Sequence, residues 1–177
     1  MDRDSFRPGP LAEVTTEPGW DLVFVRDLRH PPEKVWAALT EPDQLARWAP
    51  FLAGRDLGTP GDTTLNTVDG DRTSDQPATV RHAARPTLLE YTWGDALLRW
   101  ELAPAGDGTR LTLRQRIGDP GLAPMVAAGW HLCLDVADHL LAGHPVGPIR
   151  GAEAKEFGWA ELRDAYAERL DREPPAR

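Results

Sequence analysis

The longest run of apolar residues at helical spacing lies between Leu122 and Ala142, where Val126, Trp130, Leu134, Ala137 and Leu141 follow steps of three and four. That spacing predicts one amphipathic helix. Pro124 stands in its first turn, where the missing N–H is tolerated, and Gly143 follows the last apolar residue as a C-cap. His131, Asp135, Asp138 and His139 fall on the opposite side, which reads as a solvated face. Most of what precedes this helix alternates with the period of a strand. From Trp20 to Arg29, Leu22, Phe24 and Arg26 oppose Val23, Val25 and Asp27. This reads as the first strand.

Pro31 and Pro32 then open a helix through Val35, Trp36 and Leu39, and Pro42 ends it and starts a short second one reaching Trp48. Alternation resumes over residues 62–68, 78–84, 88–93, 97–102 and 111–116, with turn signals at Gly94-Asp95 and Gly106-Asp107-Gly108. The pattern predicts an antiparallel sheet of roughly six or seven strands, with one face packed on the Leu122 to Ala142 helix and the arginines on the wet face. By alternation His82 shares the inner face with Ala78, Val80 and Ala84, and Gln115 is also inward. Residues 1–19, with Pro8, Gly9, Pro10 and Pro18, read as an extended arm lying on the domain or free in solvent. After Gly143, Phe157, Leu162, Ala165, Tyr166 and Leu170 space as another amphipathic helix. A lone helix of that length is marginal in water, so this extension is expected to dock, either on its own domain or on a second copy as a homodimer.

The stretch HPPEKVWAALTEPDQLARWAPF after the Trp20 strand, with its Val35-Trp36 pair and closing Trp48, resembles the activator of heat-shock-protein-90 ATPase homologue-like branch of the START-like (SRPBCC) superfamily. GWHLCLDVADHLLAG, from Gly129 to Gly143, resembles the closing helix of that family. The resemblance covers about residues 20–143. It implies an α+β helix-grip fold, a curved antiparallel sheet wrapped around a long C-terminal helix with two short helices after strand one. Residues 1–19 are then an arm and 144–177 an extension. The resemblance further implies a cavity between sheet and helix. On this reading Trp36, Trp48, His82, Tyr91, Trp93, Trp100, Gln115 and Trp130 are the candidates to line it.

Charge and cysteine content narrow the partners. A formal net charge of −8 disfavours nucleic acid and anionic membranes, which need clustered cations. A single cysteine, Cys133, excludes an internal disulfide, a thiolate zinc site or a CxxC pair, and suits the cytoplasm. His131, Asp135 and His139 have the spacing of two or three metal ligands, but no fourth ligand is evident, so no metal and no cofactor are expected. No nucleophile elbow, phosphate loop or HExxH motif appears, so no catalytic residue is assigned. The expected function is binding of a small, largely apolar molecule. The resemblance also implies two alternatives. One is a cyclase or aromatase acting in the same cavity, with His82 as acid or base. The other is a co-chaperone of heat-shock protein 90, which is disfavoured because such activators carry a further N-terminal domain.

Overall fold

The computed structural model describes residues 3–172. Two antiparallel strands begin the sheet, β1 (Glu13–Glu17) and β2 (Trp20–Leu28), and they are followed by helices α1 (Pro32–Thr40) and α2 (Pro42–Leu45). Prolines set both helix starts. Pro31 caps α1 with extended backbone, and Glu41, held extended by the following Pro42, separates the two helices. Strands β3 (Phe51–Ala53), β4 (Gly61–Asp69), β5 (Arg72–Ala84), β6 (Leu88–Trp93), β7 (Ala96–Ala105) and β8 (Gly108–Arg116) complete an eight-stranded sheet. Its order is β1-β2-β8-β7-β6-β5-β4-β3, and every neighbouring pair is antiparallel. Helix α3 (Ala123–Leu141) packs on the inner face, and α4 (Trp159–Arg172) packs on α3 and β1. The fold is α+β helix-grip. Among the described residues no helix is long and apolar enough to cross a membrane.

Three features depart from the sequence pattern. The arm contributes a strand, so the Trp20 strand is the second, and Phe6 is completely buried between the rings of His139 and Phe157, at 5.6 and 5.9 Å. Ordering the arm costs about 1–2 kcal/mol of backbone entropy per residue, and burial of Phe6 offsets this together with the β1–β2 pairing and the Gly9 and Ala12 N–H bonds to α3 and α4. The register shifts between Val80 and His82, and this bulge inverts the alternation beyond it. His82 therefore pairs with Glu90 and stands exposed with Ala84, while Ala83 turns inward to the core. The third departure is on α3, whose supposed wet face is covered.

That covered face holds a buried polar cluster. Arg26 projects from β2 and meets the Asp135 carboxylate, and His131 Nε2 lies 3.1 Å from Asp135 Oδ2. The backbone N–H of Gly9 donates to the same carboxylate at 2.8 Å. From α4, the Tyr166 hydroxyl accepts the Ala12 N–H at 3.0 Å and lies 2.6 Å from His131 Nδ1. Tyr166, His131, Asp135 and Arg26 form one connected run of polar contacts, in which Arg26 Nη1, His131 Nε2 and Asp135 Oδ1 meet as charge-to-charge neighbours without hydrogen-bond geometry. Four segments distant in sequence thus meet at polar atoms that would be costly to leave unpaired. Burial alone would raise the Asp135 carboxyl, but the His131 contact, the Arg26 charge and the Gly9 N–H outweigh it and hold it below the usual carboxylate range. His139 faces Phe6, away from this cluster, so the three residues with ligand spacing do not converge.

Candidate functional site

A cavity of about 250 Å³ lies between the N-terminal half of α3, the inner face of the sheet and the segment after Gly143. Helix α3 supplies Val126, Gly129, Trp130, Leu132 and Cys133. The sheet supplies Trp93 from β6 and Gln115 from β8, and Pro50 closes the end before β3. The remaining wall comes from Ile149, Arg150, Gly151, Ala154 and Trp159, all beyond the helix that the sheet wraps.

The aromatic wall is fixed in place. Trp130 meets Trp100 edge to face at 5.2 Å and Trp93 at 6.4 Å, and Trp93 packs on Phe51 at 5.1 Å. Each indole N–H has an acceptor: Thr67 Oγ1 for Trp93 at 3.1 Å, the Tyr91 hydroxyl for Trp100 at 3.1 Å, and Gln115 Oε1 for Trp130 at 2.7 Å. Rings held in this way cannot swing in to fill the space. The space itself originates on α3. A Cβ built at Gly129 would meet nothing within 4 Å, although glycine in a helix interior costs roughly 0.5–1 kcal/mol against alanine. The helix thus carries a destabilising residue where a side chain would project into the cavity.

The opposite wall depends on another glycine. Gly151 has φ of 55° and lies so close to the β4–β5 hairpin that a Cβ there would stand 1.8 Å from Asp69 Oδ1. Only glycine permits both the left-handed backbone and that approach. Next to it, Arg150 donates from Nε to the Ala49 carbonyl at 2.8 Å and from Nη2 to the Ala46 carbonyl at 2.9 Å, tying the extension to the end of α2.

Of the eight residues that alternation and the resemblance nominated, Trp93, Gln115 and Trp130 line this cavity. Tyr91 and Trp100 stand behind the wall as hydrogen-bonded core. Trp36 and Trp48 are buried in the helical layer, where Trp48 donates to the Ala38 carbonyl at 2.9 Å. His82 is on the outside of the sheet. Sequence reasoning did not nominate Gly129, Cys133, Ile149, Arg150, Ala154 or Trp159. A glycine within a strongly periodic helix is a legible signal of missing volume. Arg150 sits in an aperiodic stretch and carried none.

Cys133 and Arg150 are the titratable side chains in the lining. Burial pushes the Cys133 thiol up to about 12, with the Arg150 charge opposing that rise, so the thiol is protonated at neutral pH. Iodoacetamide at pH 8 should accordingly leave Cys133 unmodified in the folded protein and alkylate it in denaturant. Intact mass reads the result, and rapid labelling of the native state would show an ionised or open thiol.

Residues 29–142 match the family described as activator of Hsp90 ATPase homolog 1-like protein. No curated protein matches the chain. Among solved structures, a Bordetella parapertussis protein is 26% identical with a TM-score of 0.63, covering 84% of this chain and 85% of its own. CalU16 from Micromonospora echinospora is 21% identical at TM-score 0.61, over 85% and 87%. A Rhodobacter sphaeroides protein is 24% identical at TM-score 0.61, over 74% and 99%. The alignment spans the two proline-started helices, the meander and α3, and the chain belongs to the activator of Hsp90 ATPase homolog 1-like family of START-like proteins.

Proposed function

We propose that this protein binds a small, largely apolar molecule in the cavity between α3 and the segment that follows it. The observation that carries this reading is Gly129, a helix-interior position left without a side chain and facing open space walled by pinned indoles. A protein selected only for stability would fill that position, since alanine there favours both the helix and the packing. A volume of about 250 Å³ suits a molecule of two fused rings or a short chain.

Binding is favoured over turnover by the chemistry of the lining. A general acid or base works best with a pKa near the operating pH, and neither a thiol raised to about 12 nor a guanidinium meets that need. The histidine nominated for proton transfer is across the sheet.

N-phenyl-1-naphthylamine, neutral and fluorescent in apolar surroundings, should bind at micromolar concentration with a saturable rise in emission. Gly129→Leu should fill the space and abolish that signal while the far-ultraviolet spectrum is retained. Gly129→Ala should bind more weakly and unfold with a gain of roughly 0.5–1 kcal/mol. If the parent gives no saturable signal, or if Gly129→Leu binds as well as the parent, the cavity is not a binding site.

A further inference from the structure

The polar groups around this cavity are unequal in kind, and their inequality identifies one end of the ligand. The inference rests on the binding reading above and adds the chemistry of the ligand's head group. Apart from the Trp159 indole N–H, two lining side chains have conventional hydrogen-bonding groups to spare, and all of these groups are donors. Gln115 accepts the Trp130 N–H through Oε1, which orients the amide, and its NH2 group has no protein acceptor among the described residues. Arg150 uses Nε and Nη2 on the carbonyls of Ala49 and Ala46, and Nη1 has no protein partner among the described residues.

Arg150 is also a cation without an anion. It forms no ion pair among the described residues, and Glu153, three positions on, is held by Arg3 at 2.5 Å. Burial lowers its affinity for a proton, and the opposing charge felt there is that of Cys133, whose thiol is neutral at pH 7. The two carbonyls that Arg150 meets provide partial charges, less than a carboxylate would. A half-buried guanidinium so placed retains its desolvation cost, and a ligand anion would offset it.

The position of Arg150 matters as much as its charge. It lines the apolar cavity and also borders a shallow surface depression with Val68, Gly70 and Glu153, so it stands where the cavity meets the outside. An amphiphile whose apolar body enters between Trp93 and Trp130 would leave its polar end at that point. We propose that the ligand is an aromatic or aliphatic carboxylic acid, its body in the indole-lined cavity and its carboxylate on Arg150 Nη1 at the mouth. With a net charge of −8, the chain as a whole repels an acid, so a preference for one must come from this local group.

The test compares 1-naphthaleneacetic acid with 1-naphthaleneacetamide, which share body and shape and differ in the charge of the head. Calorimetric titration of the full chain should show the acid binding at least about tenfold more tightly than the amide. Arg150→Gln should bring the two affinities together by weakening the acid at least about tenfold more than the amide, and the far-ultraviolet spectrum and the urea midpoint check that the variant is folded. Arg150→Lys keeps a cation and should keep most of the preference, whatever the glutamine variant does. Equal binding of acid and amide by the parent overturns the head-group assignment and leaves the cavity reading intact. A preference that survives in Arg150→Gln, or that is lost in a folded Arg150→Lys, overturns the role of Arg150. Binding of neither compound sinks the head-group inference, and binding of N-phenyl-1-naphthylamine then reports separately on the cavity.

Discussion

Asp135→Ala should destabilise the protein by about 3–5 kcal/mol, because it strips the counter-charge from Arg26 and the polar partner from His131 and Gly9 in one step. The cost is that of a charge left buried. The Arg26 side chain keeps 16% of its surface in water, but its Nη1 is fully buried against Asp135, beside Phe24 of β2 and Val136 of α3, which are completely excluded from solvent. The double variant Arg26→Met with Asp135→Leu removes both charges and should recover most of the loss, since a well-packed apolar pair replaces a buried ion pair at little cost. The pH dependence has a definite sign. The folded Asp135 carboxyl lies below its unfolded value of about 3.9, so its contribution is complete above that value and is lost as pH falls through the folded pKa. Chemical denaturation of parent and Asp135→Ala should therefore give a gap that is constant near neutrality and closes only in acid. A gap under about 1 kcal/mol at pH 7 would mean that Arg26 finds another partner, and the cluster would then not be what ties arm, sheet and both C-terminal helices.

The same cluster shows where the sequence is legible and where it is not. Periodicity locates α3 to within a residue at each end, and alternation finds five strands of the meander, because those elements bury one face and their patterns report it. The pattern of α3 is misleading on its second face. His131 and Asp135 have the composition of a wet surface, yet they are 0% and 3% exposed, because Arg26 and Tyr166 arrive from elements remote in sequence to satisfy them. A polar residue with a polar partner looks the same in sequence as one with water. Arg26 itself was readable as inward by alternation, and an inward arginine needs an inward acid. The joint reading of those two residues was the signal available.

Trp93, Gln115 and Trp130 stand in the cavity lining, whereas the position of His82 and the wall after Gly143 are illegible for a different reason. Counting in twos puts His82 inward, but one extra residue at Arg81 reverses every side chain of β5 after it. No turn residue or proline marks the bulge. Arg150 and Trp159 belong to a segment outside the repeating pattern, and their place in the wall follows from the docking of α4, which buries Leu162 and Tyr166. The matched family region ends at residue 142, so part of this cavity is built by sequence that the family pattern does not describe.

Trp130→Ala should cost about 3–5 kcal/mol, the largest loss expected of a single truncation in the cavity wall. Trp130 is 3% exposed, meets two other indoles and fixes the Gln115 amide, so its removal deletes packing on Trp100, one edge of Trp93 and a buried hydrogen bond together. Trp130→Phe separates these contributions. It preserves a ring against Trp100 but deprives Gln115 Oε1 of its donor, for a cost of about 1–3 kcal/mol. The two variants should also part in binding. The alanine variant merges the space vacated by the indole with the existing 250 Å³, and N-phenyl-1-naphthylamine should then bind more weakly in a loose enclosure than in the fitted one. The phenylalanine variant keeps the floor but frees the amide to rotate, which should blunt discrimination between acid and amide probes more than affinity for the neutral dye. Equilibrium unfolding in urea with parallel dye titrations measures both. A loss under about 1 kcal/mol on truncation to alanine, with dye binding unchanged, would place Trp130 outside both the core and the cavity wall.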